Sequence, residues 1–203
     1  MTDTVTIMAA FTDTSDENFE LFRRTVMARR SNLLIDTEKD VDESLCTELI
    51  QLAACAPNHK RTFPWKFRVV RGQARAGLGN SLAADLIDRG EPEAKIEKAS
   101  KKYLRAPVVI AVASIIGDDE IMTAENRDAV SAAIQTLLLG ATAKGLASYW
   151  STGGAMLSTR VREFCQFDPT DTMVGLIYLG WPRGNPPDIE RPAPDCLHLD
   201  NGI

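Results

Sequence analysis

The sequence predicts a single globular domain in which helices separate four short strands. Apolar or alternating runs of strand length occur at residues 65–70, 108–113, 147–151 and 173–180, with helical periodicity between them. Neither a linker nor an internal repeat divides the 203 residues. A content of 44% hydrophobic and 25% charged residues is typical of a domain that folds without disulfides or a structural metal.

The N-terminal part is predicted to be a polar extension followed by a helix. Residues 1–16 are mostly polar and predict a flexible extension, so that the domain itself covers residues 17–203. A helix over residues 17–29 is predicted by apolar side chains at intervals of three and four, namely Phe19, Phe22 and Val26.

Two further helices carry recognisable end signals. The second is predicted to begin at Asp40, because Glu43 follows at capping-box spacing, and to be ended by Pro57. The longest is predicted over residues 124–144, with Gly145 stopping it. Apolar and small residues almost surround that helix, which is typical of burial in a core or an interface.

The strands and the remaining segments differ in polarity. Residues 65–70 alternate and predict a half-buried strand, whereas residues 108–113 are continuously apolar and predict a strand covered on both faces. The charged residues 73–104 predict a solvated helical face, and residues 157–164 predict a short helix. The proline-rich tail from Arg183 predicts an extended segment.

Composition disfavours several functional classes. A net charge of -5 offers no basic field to nucleic acid, and no apolar run reaches the roughly 18 residues of a membrane helix. Neither a Rossmann glycine fingerprint nor a P-loop occurs, and the cysteines and histidines lack zinc-site spacing. We therefore expect no metal, no nucleic-acid or membrane partner, and a cytoplasmic protein with free thiols, Cys46 and Cys55 being small buried hydrophobes.

Two polar segments could bind an anionic or flat ligand. Arg29, Arg30 and Ser31 could hold a phosphate through charge-assisted hydrogen bonds, although cations after a helix also favour its negative end. The loop 56–65 has a proline near each end and brings His59 close to two cations, although it could also be a turn before a core aromatic residue.

A third segment, residues 149–154, combines two aromatic residues, two hydroxyls and two glycines. The glycines would let the backbone approach a flat ligand closely. A strand end with a simple turn has the same pattern, so this segment is weak when it is considered alone.

In combination, the three segments resemble the motifs of the nitroreductase family of flavoproteins, especially its small bacterial members. Their order and spacing hold over roughly residues 20–190. The matching residues are Arg29-Arg30-Ser31, Ala56-Pro57-Asn58-His59 with Pro64-Trp65, Trp150-Ser151-Thr152-Gly153, and Leu179-Gly180-Trp181-Pro182 at the end of the last strand.

The resemblance implies an α+β fold, with a mixed and mostly antiparallel sheet flanked by helices, in an intertwined homodimer. The long helix would form much of the interface, and an FMN would lie in each of two clefts there. The implied cofactor-binding residues are Arg29, Arg30 and Ser31 at the phosphate and ribityl chain, the partner's His59, Trp150, Ser151 and Thr152 at the border, and Cys55.

The implied activity is that of an FMN-dependent oxidoreductase. NAD(P)H as co-substrate would pass a hydride to flavin N5, and an electron-poor small molecule of the nitroaromatic, quinone or enone type would then accept it. One site would serve both half-reactions, giving ping-pong kinetics, and no protein group would be a catalytic nucleophile or base. The sequence leaves the physiological acceptor and the choice between NADH and NADPH open.

The chain departs from the family pattern at two places. Leu33 and Leu34 stand where many relatives have a basic residue, and Arg61 and Phe63 replace an amide and a glutamine. We hypothesise that Arg61 or Lys60 supplies the positive charge that stabilises reduced flavin near N1. A fall of the flavin midpoint potential in Arg61→Ala or Lys60→Ala would support this hypothesis.

Three alternatives remain. The first is an FMN carrier or sensor without turnover, for which the substitutions at Leu33, Arg61 and Phe63 are the best support. The second is a specialised flavoenzyme, such as a dehalogenase or a flavin-cleaving enzyme, because substrate choice would lie in variable segments like residues 75–105. Thiol catalysis by Cys55 with His59 is suggested by their spacing of four, but Pro57 between them breaks the helical register.

Overall fold

A four-stranded antiparallel sheet carries helices on both faces, and a computed structural model describes this arrangement for residues 16–199. The helices are α1 (Asp16–Ala28), α2 (Glu43–Ala53), α3 (Ala74–Asp88), α4 (Glu93–Ser100), α5 (Glu120–Ala143) and α6 (Thr159–Phe164). The strands are β1 (Trp65–Arg71), β2 (Val108–Ser114), β3 (Ala147–Ser151) and β4 (Thr172–Gly180). The predicted N-terminal extension lies outside the described residues, except that Asp16 begins α1.

The strands pair in the order β1-β2-β4-β3, and every pair is antiparallel. All residues of β2 are buried, which confirms a strand covered on both faces, and the edge strand β1 is half-buried as predicted. An isolated parallel bridge between Ser31 and Ser148 joins the segment after α1 to β3. The predicted α+β class with a mostly antiparallel sheet is confirmed.

The two faces of the sheet support separate apolar clusters, because alternate residues of a strand point to opposite sides. From β2, Val109 and Ala111 face the cluster formed with α3, α4 and α6, whereas Val108 and Ile110 face the cluster formed with α2 and α5. Helices therefore cover both faces, and the functional segments lie at the sheet edges.

The predicted start of α2 is wrong. The helix begins at Glu43, and no capping box forms, because the carboxylate of Asp40 accepts from its neighbour Val41 N–H at 2.8 Å and from Arg71 Nη2 at 2.6 Å. Val41 is fully buried, so packing against β1 decides the conformation here. The helix also ends at Ala53, before Pro57 can interrupt it.

The long helix α5 begins at Glu120, four residues before the predicted start. Asp119 caps it by accepting from Met122 N–H at 2.7 Å, and its first apolar residue, Ile121, is exposed, so periodicity gave no signal there. Gly145 has φ +77° and ends the helix with two capping bonds, Gly145 N–H to Thr142 O and Leu146 N–H to Ala141 O, as predicted.

The charged segment folds into α3, α4 and the 3₁₀ turn Lys102–Arg105. A Cβ on Gly79 in α3 would collide with the carbonyl oxygen of Ser100, so this glycine permits the close approach of α3 and α4. The helix predicted over 157–164 is divided at Ser158 into the 3₁₀ turn Gly154–Leu157 and α6. Residues 185–199 of the tail form neither a helix nor a strand.

Candidate functional site

The segment after α1 lies along the outer side of β3. Ser31 bridges Ser148 in parallel, and Asn32 N–H donates to Ser148 O at 2.8 Å. We call this region, residues 29–32 together with β3 and the turn 152–154, the β3 edge. Two of the three sequence segments predicted to bind the cofactor therefore meet there.

The buried Asn32 fastens the β3 edge to the C-terminal tail. Its Nδ2 donates to Gly184 O at 3.2 Å, and its Oδ1 accepts from Leu34 N–H at 2.8 Å. Both of these hydrogen bonds join the side-chain amide to backbone groups. Asn32 thus fixes the position of the adjacent Arg30 and Ser31.

Arg30 holds an oxyanion in this structure. Its Nη1 donates to Asp188 Oδ1 at 2.8 Å and to Pro187 O at 3.1 Å. The Asp188 side chain is 99% exposed, whereas that of Arg30 is 28% exposed. Because the carboxylate is nearly surrounded by solvent, another oxyanion could replace it at Arg30 without unpacking the protein.

The tail supplies arginines that sequence reasoning missed. Arg191 donates to the carbonyl oxygens of Met27 at 3.2 Å and Arg29 at 2.9 Å, so it caps the negative end of α1. Arg183 follows β4, and its N–H donates to Leu34 O at 2.9 Å. Nothing local in the sequence relates Arg191 to α1 or Arg183 to Leu34, because these contacts exist only once the tail folds back.

Two cavities flank Asn32. One, of 370 Å³, lies between the ends of α1 and α5 and is lined by Arg30 and Asp188. The other, of 520 Å³, is lined by Leu33 and Leu34 together with Arg105 and Arg183. Two arginines from distant parts of the chain thus line the same cavity as Leu33 and Leu34, the positions at which the family pattern would have a basic residue.

The turn after β3 is shaped by two glycines and by packing of Trp150. The indole Nε1 donates to Val174 O at 3.2 Å, and a Cβ on Gly175 would collide with this ring. Ser151 is buried and Thr152 is exposed. Gly153 has φ +101° and ψ -153°, a conformation that is essentially restricted to glycine.

The loop that contains His59 lies at the opposite edge of the sheet, where it leads into β1. His59 Nδ1 is 2.7 Å from Glu125 Oε2 of α5. Lys60, Arg61 and Phe63 have positive φ values of 55°, 55° and 46°, which non-glycine residues adopt at a cost in energy. We call residues 56–63 the β1-edge loop.

A partly buried hydrogen-bond chain holds the base of the β1-edge loop against α5. Thr62 Oγ1 donates to Asn126 Oδ1 at 2.6 Å and accepts from Asn58 Nδ2 at 3.0 Å. Asn126 Nδ2 donates in turn to Ile115 O at 3.4 Å. The loop is thus held firmly while its cationic residues and Phe63 face outward, with 63% of Phe63 exposed.

Within one protomer, the β1-edge loop and the β3 edge are separated by the sheet. Three strand spacings lie between β1 and β3, which amounts to roughly 14 Å at about 4.8 Å per spacing. The structure therefore brings residues 29–31 and residues 150–152 together at the β3 edge. His59 and Cys55 lie near the opposite edge of the sheet, where the chain leads into β1.

The cysteines divide into buried and exposed pairs. Cys46 is buried as expected, but the expectation for Cys55 is wrong, because this residue follows the end of α2 and is exposed. Cys55 Sγ contacts Gln51 O at 3.5 Å while His59 contacts Glu125, so the two do not form a thiol–imidazole pair. Burial raises the pKa of the Cys165 thiol to about 12.

Two further properties hold for the described part of the chain. Across residues 16–199, no three His, Cys, Asp or Glu side chains are grouped so that they could hold a metal ion. None of the helices in that range has the length and apolar character needed to cross a bilayer.

The sequence matches the Nitroreductase family over residues 26–181. It is 30% identical over 129 residues to the Escherichia coli K12 protein named "Putative NAD(P)H nitroreductase YdjA", covering 63% of this chain and 70% of that protein. It is 25% identical over 177 residues to the Bacillus subtilis protein named "Putative NAD(P)H nitroreductase YfhC", covering 84% and 89%.

Solved structures share the fold. A nitroreductase-like family protein from Bacillus cereus superposes with a TM-score of 0.77 at 24% identity, covering 92% of this chain and 95% of that one. The FMN-dependent nitroreductase NfnB from Mycobacterium smegmatis, solved in complex with NADPH, gives a TM-score of 0.64 at 20% identity, covering 82% and 89%. Sequence and fold agree that this chain belongs to the nitroreductase family.

Proposed function

We propose that the protein is an FMN-dependent oxidoreductase that works as a homodimer and passes hydride from NAD(P)H to an electron-poor acceptor of the nitroaromatic, quinone or enone type. The observation that carries the proposal is the bridge between Ser31 and Ser148. It places an oxyanion-binding arginine and a glycine-rich turn on the same sheet edge, in a chain of the nitroreductase family.

The residues of the β3 edge fit the two ends of FMN. Arg30, which already holds a carboxylate, would hold the phosphate with two charge-assisted hydrogen bonds, and the exposed hydroxyl of Ser31 would add a donor. The turn at Gly153 has no Cβ, so its backbone can approach a flat ring closely. When bound, FMN supplies a ring system that takes up a hydride and gives it to a second substrate.

The protein's own task is to bind, orient and shield. Asn32 keeps Arg30 and Ser31 beside β3, and Trp150 packs on Gly175 to hold the turn in place. No side chain needs to act as nucleophile or base in this proposal, so preorganised placement of the reactants would supply much of the rate.

A second subunit would complete the site. No residue of α1 is buried, and most of its apolar side chains are exposed, with 64% of Phe19 and 57% of Phe22 accessible. An exposed apolar helix face of this kind is typical of a surface that another protein covers. Most apolar side chains of α5 are buried inside the protomer, so we propose that α1 contributes much of the dimer interface and that the β1-edge loop reaches the partner's flavin.

Relatives support the chemistry by their names, since NfnB is described as FMN-dependent and was solved with NADPH. The unpaired cysteines are consistent with a cytoplasmic location, which we include in the proposal.

The primary test is the visible spectrum of the purified protein and its response to reductant. We expect a yellow protein with bound FMN that NADH or NADPH bleaches in the absence of oxygen, and parallel lines in reciprocal plots. Arg30→Met should weaken FMN binding roughly 10- to 100-fold, since a charge-assisted pair is lost. Arg160→Met, which removes a surface ion pair with Asp88, is the matched control.

Two outcomes would separate the alternatives. A colourless monomer that ignores added FMN would overturn the proposal. A flavin that binds normally but is not bleached by either nicotinamide would favour the carrier or sensor alternative, for which the departures at Arg61 and Phe63 are the supporting observation.

A further inference from the structure

A third cavity lies next to the turn after β3. It is an open cavity with a volume of 920 Å³, lined by residues of α3, α4 and the 3₁₀ turn Lys102–Arg105, with Gly154 and Ala155 in its wall. These two residues follow Gly153 directly, so a molecule in this cavity would lie beside the proposed flavin site. The volume suits a small-molecule ligand. We call it the α4 cavity.

The α4 cavity is strongly cationic. Glu91 is the one acidic residue in its lining, against the basic residues Arg89, Lys95, Lys98, Lys101, Lys102 and Arg105. Half of these cations have acidic partners on their own helix or next to it, through the pairs Arg89–Asp85 at 2.8 Å, Lys95–Glu91 at 2.6 Å and Lys101–Glu97 at 2.7 Å.

The remaining three cations have no such partner. For Lys98, Lys102 and Arg105, no acidic group of residues 16–199 lies within ion-pair distance. Lys102 is half-buried, and its Nζ lies 5.6 Å from the ring centroid of Tyr103. Burial, followed by the charges of Arg105 and Lys98, lowers the pKa of Lys102.

This arrangement favours an anionic ligand with an apolar body. Clustered cations repel one another, and a half-buried ammonium without an acidic partner loses part of its hydration, so a bound anion would relieve both costs. The remaining lining includes Leu82, Leu86, Ala99 and Ala155, which would contact apolar parts of the ligand.

We propose that Lys98, Lys102 and Arg105 form an oxyanion subsite in the α4 cavity, which binds a phosphate or carboxylate carried by the molecule that exchanges electrons with the flavin. The proposal rests on the proposed function and deepens it. The oxyanion has two possible sources, the 2′-phosphate of NADPH or an acid group on the acceptor.

Two kinetic comparisons distinguish the sources. The first compares kcat/KM for NADPH and NADH with a neutral acceptor, and the second compares 4-nitrobenzoate with 4-nitrotoluene at fixed NADH. We expect the anionic member to be preferred roughly tenfold or more in at least one comparison. In the double variant Lys98→Met/Lys102→Met, that preference should disappear through KM, with kcat little changed.

The matched control is Lys144→Met, which removes a surface lysine paired with Glu48 on α2 and should preserve the preference. A direct reading comes from calorimetry on the FMN-loaded protein with 2′,5′-ADP and with 4-nitrobenzoate as probes. At least one probe should bind the wild type, and its binding should be lost in the double variant.

Each outcome decides the proposal. A preference in the first comparison that the double variant loses assigns the subsite to the nicotinamide phosphate, and one in the second that the double variant loses assigns it to an anionic acceptor. A preference that the double variant keeps overturns the subsite. An enzyme that turns over all four substrates without preference, or a probe that binds the double variant equally well, overturns the subsite while the proposed function stands. Failure of the proposed function would instead show as absent FMN or absent turnover, and calorimetry with the same two probes on the protein as purified would still decide whether the cavity binds oxyanions.

Discussion

The two edges of the sheet both carry residues of the family's motifs, yet they differ in how complete they are within one protomer. At the β3 edge, Ser31 pairs with Ser148 and Arg30 binds Asp188, so both of these motif residues contact a distant part of the same chain. In the β1-edge loop, the base is held through Asn126 and His59 contacts Glu125, whereas Lys60, Arg61 and Phe63 are exposed. This difference supports the proposal that the β3 edge forms one part of a flavin site and that the β1-edge loop contributes to the site of a second subunit.

Backbone conformation supports this difference. Lys60, Arg61 and Phe63 keep positive φ although none is a glycine, whereas the positive φ in the turn at the β3 edge falls on Gly153. Strain held at exposed residues needs a compensating purpose, and it is frequently found where a ligand or partner is contacted. The positive φ values are therefore unfavourable for the backbone of the β1-edge loop, whereas glycine adopts the positive φ of the turn without a steric cost.

The largest effect is expected from removing the surface that would join the two half-sites. Phe19→Asp/Phe22→Asp should give a monomer and weaken FMN binding more than about 100-fold, because burial of each phenylalanine contributes roughly 1.5–3 kcal/mol. Size-exclusion chromatography with light scattering and FMN titration measure both effects. Ile87→Asp, at an exposed apolar residue of α3, is the control, and a double variant that stays dimeric would contradict the assigned interface.

Subunit mixing tests the division of the site directly. In a heterodimer of one Arg30→Met subunit and one His59→Ala subunit, a shared site predicts one doubly altered and one intact site. About half of the wild-type catalytic activity should therefore return, whereas each homodimer stays impaired. If Arg30 and His59 acted within one subunit, neither site would be intact and mixing would restore nothing.

A smaller effect is expected at the turn of the β3 edge. Gly153→Ala should lower the free energy of unfolding by about 1–2 kcal/mol, because φ +101° is unfavourable for alanine although a Cβ would meet no atom within 4 Å. Urea unfolding measures the loss. Gly72→Ala, also at a positive φ in open space but distant in sequence from the turn, should cost stability without changing FMN affinity.

The smallest effect concerns the carboxylate that occupies Arg30. Asp188→Asn removes a charge that would compete with the FMN phosphate, so FMN should bind more tightly by about threefold, a range typical of an exposed ion pair. Fluorescence titration of FMN at low and high salt would show the gain shrinking as salt screens the pair. Unchanged or weaker binding would show that the phosphate does not use Arg30.

Local sequence signals predicted most helices and strands. They misplaced helix ends at positions where tertiary contacts or exposure, and not local preference, decide the conformation. The apolar run of β2 and the glycine stop of α5 were clear because burial and capping act over a few residues. The start of α2 was misplaced because Arg71 of β1 draws Asp40 away from the helix. The first turn of α5 was not predicted because its apolar residue Ile121 is exposed, and apolar periodicity reports only a helix face that is buried.

By itself, the sequence determined the helices and strands, the three motif segments and the membership in the nitroreductase family, because these depend on residue type and spacing along the chain. Only the tertiary structure decided that Arg30 meets Asp188 across 158 residues, that Arg105 and Arg183 line the cavity beside Leu33 and Leu34, and that the β1-edge loop lies away from the β3 edge. Such contacts form only when both faces of the sheet are packed, since no interaction between neighbouring residues specifies which distant segments will share an edge.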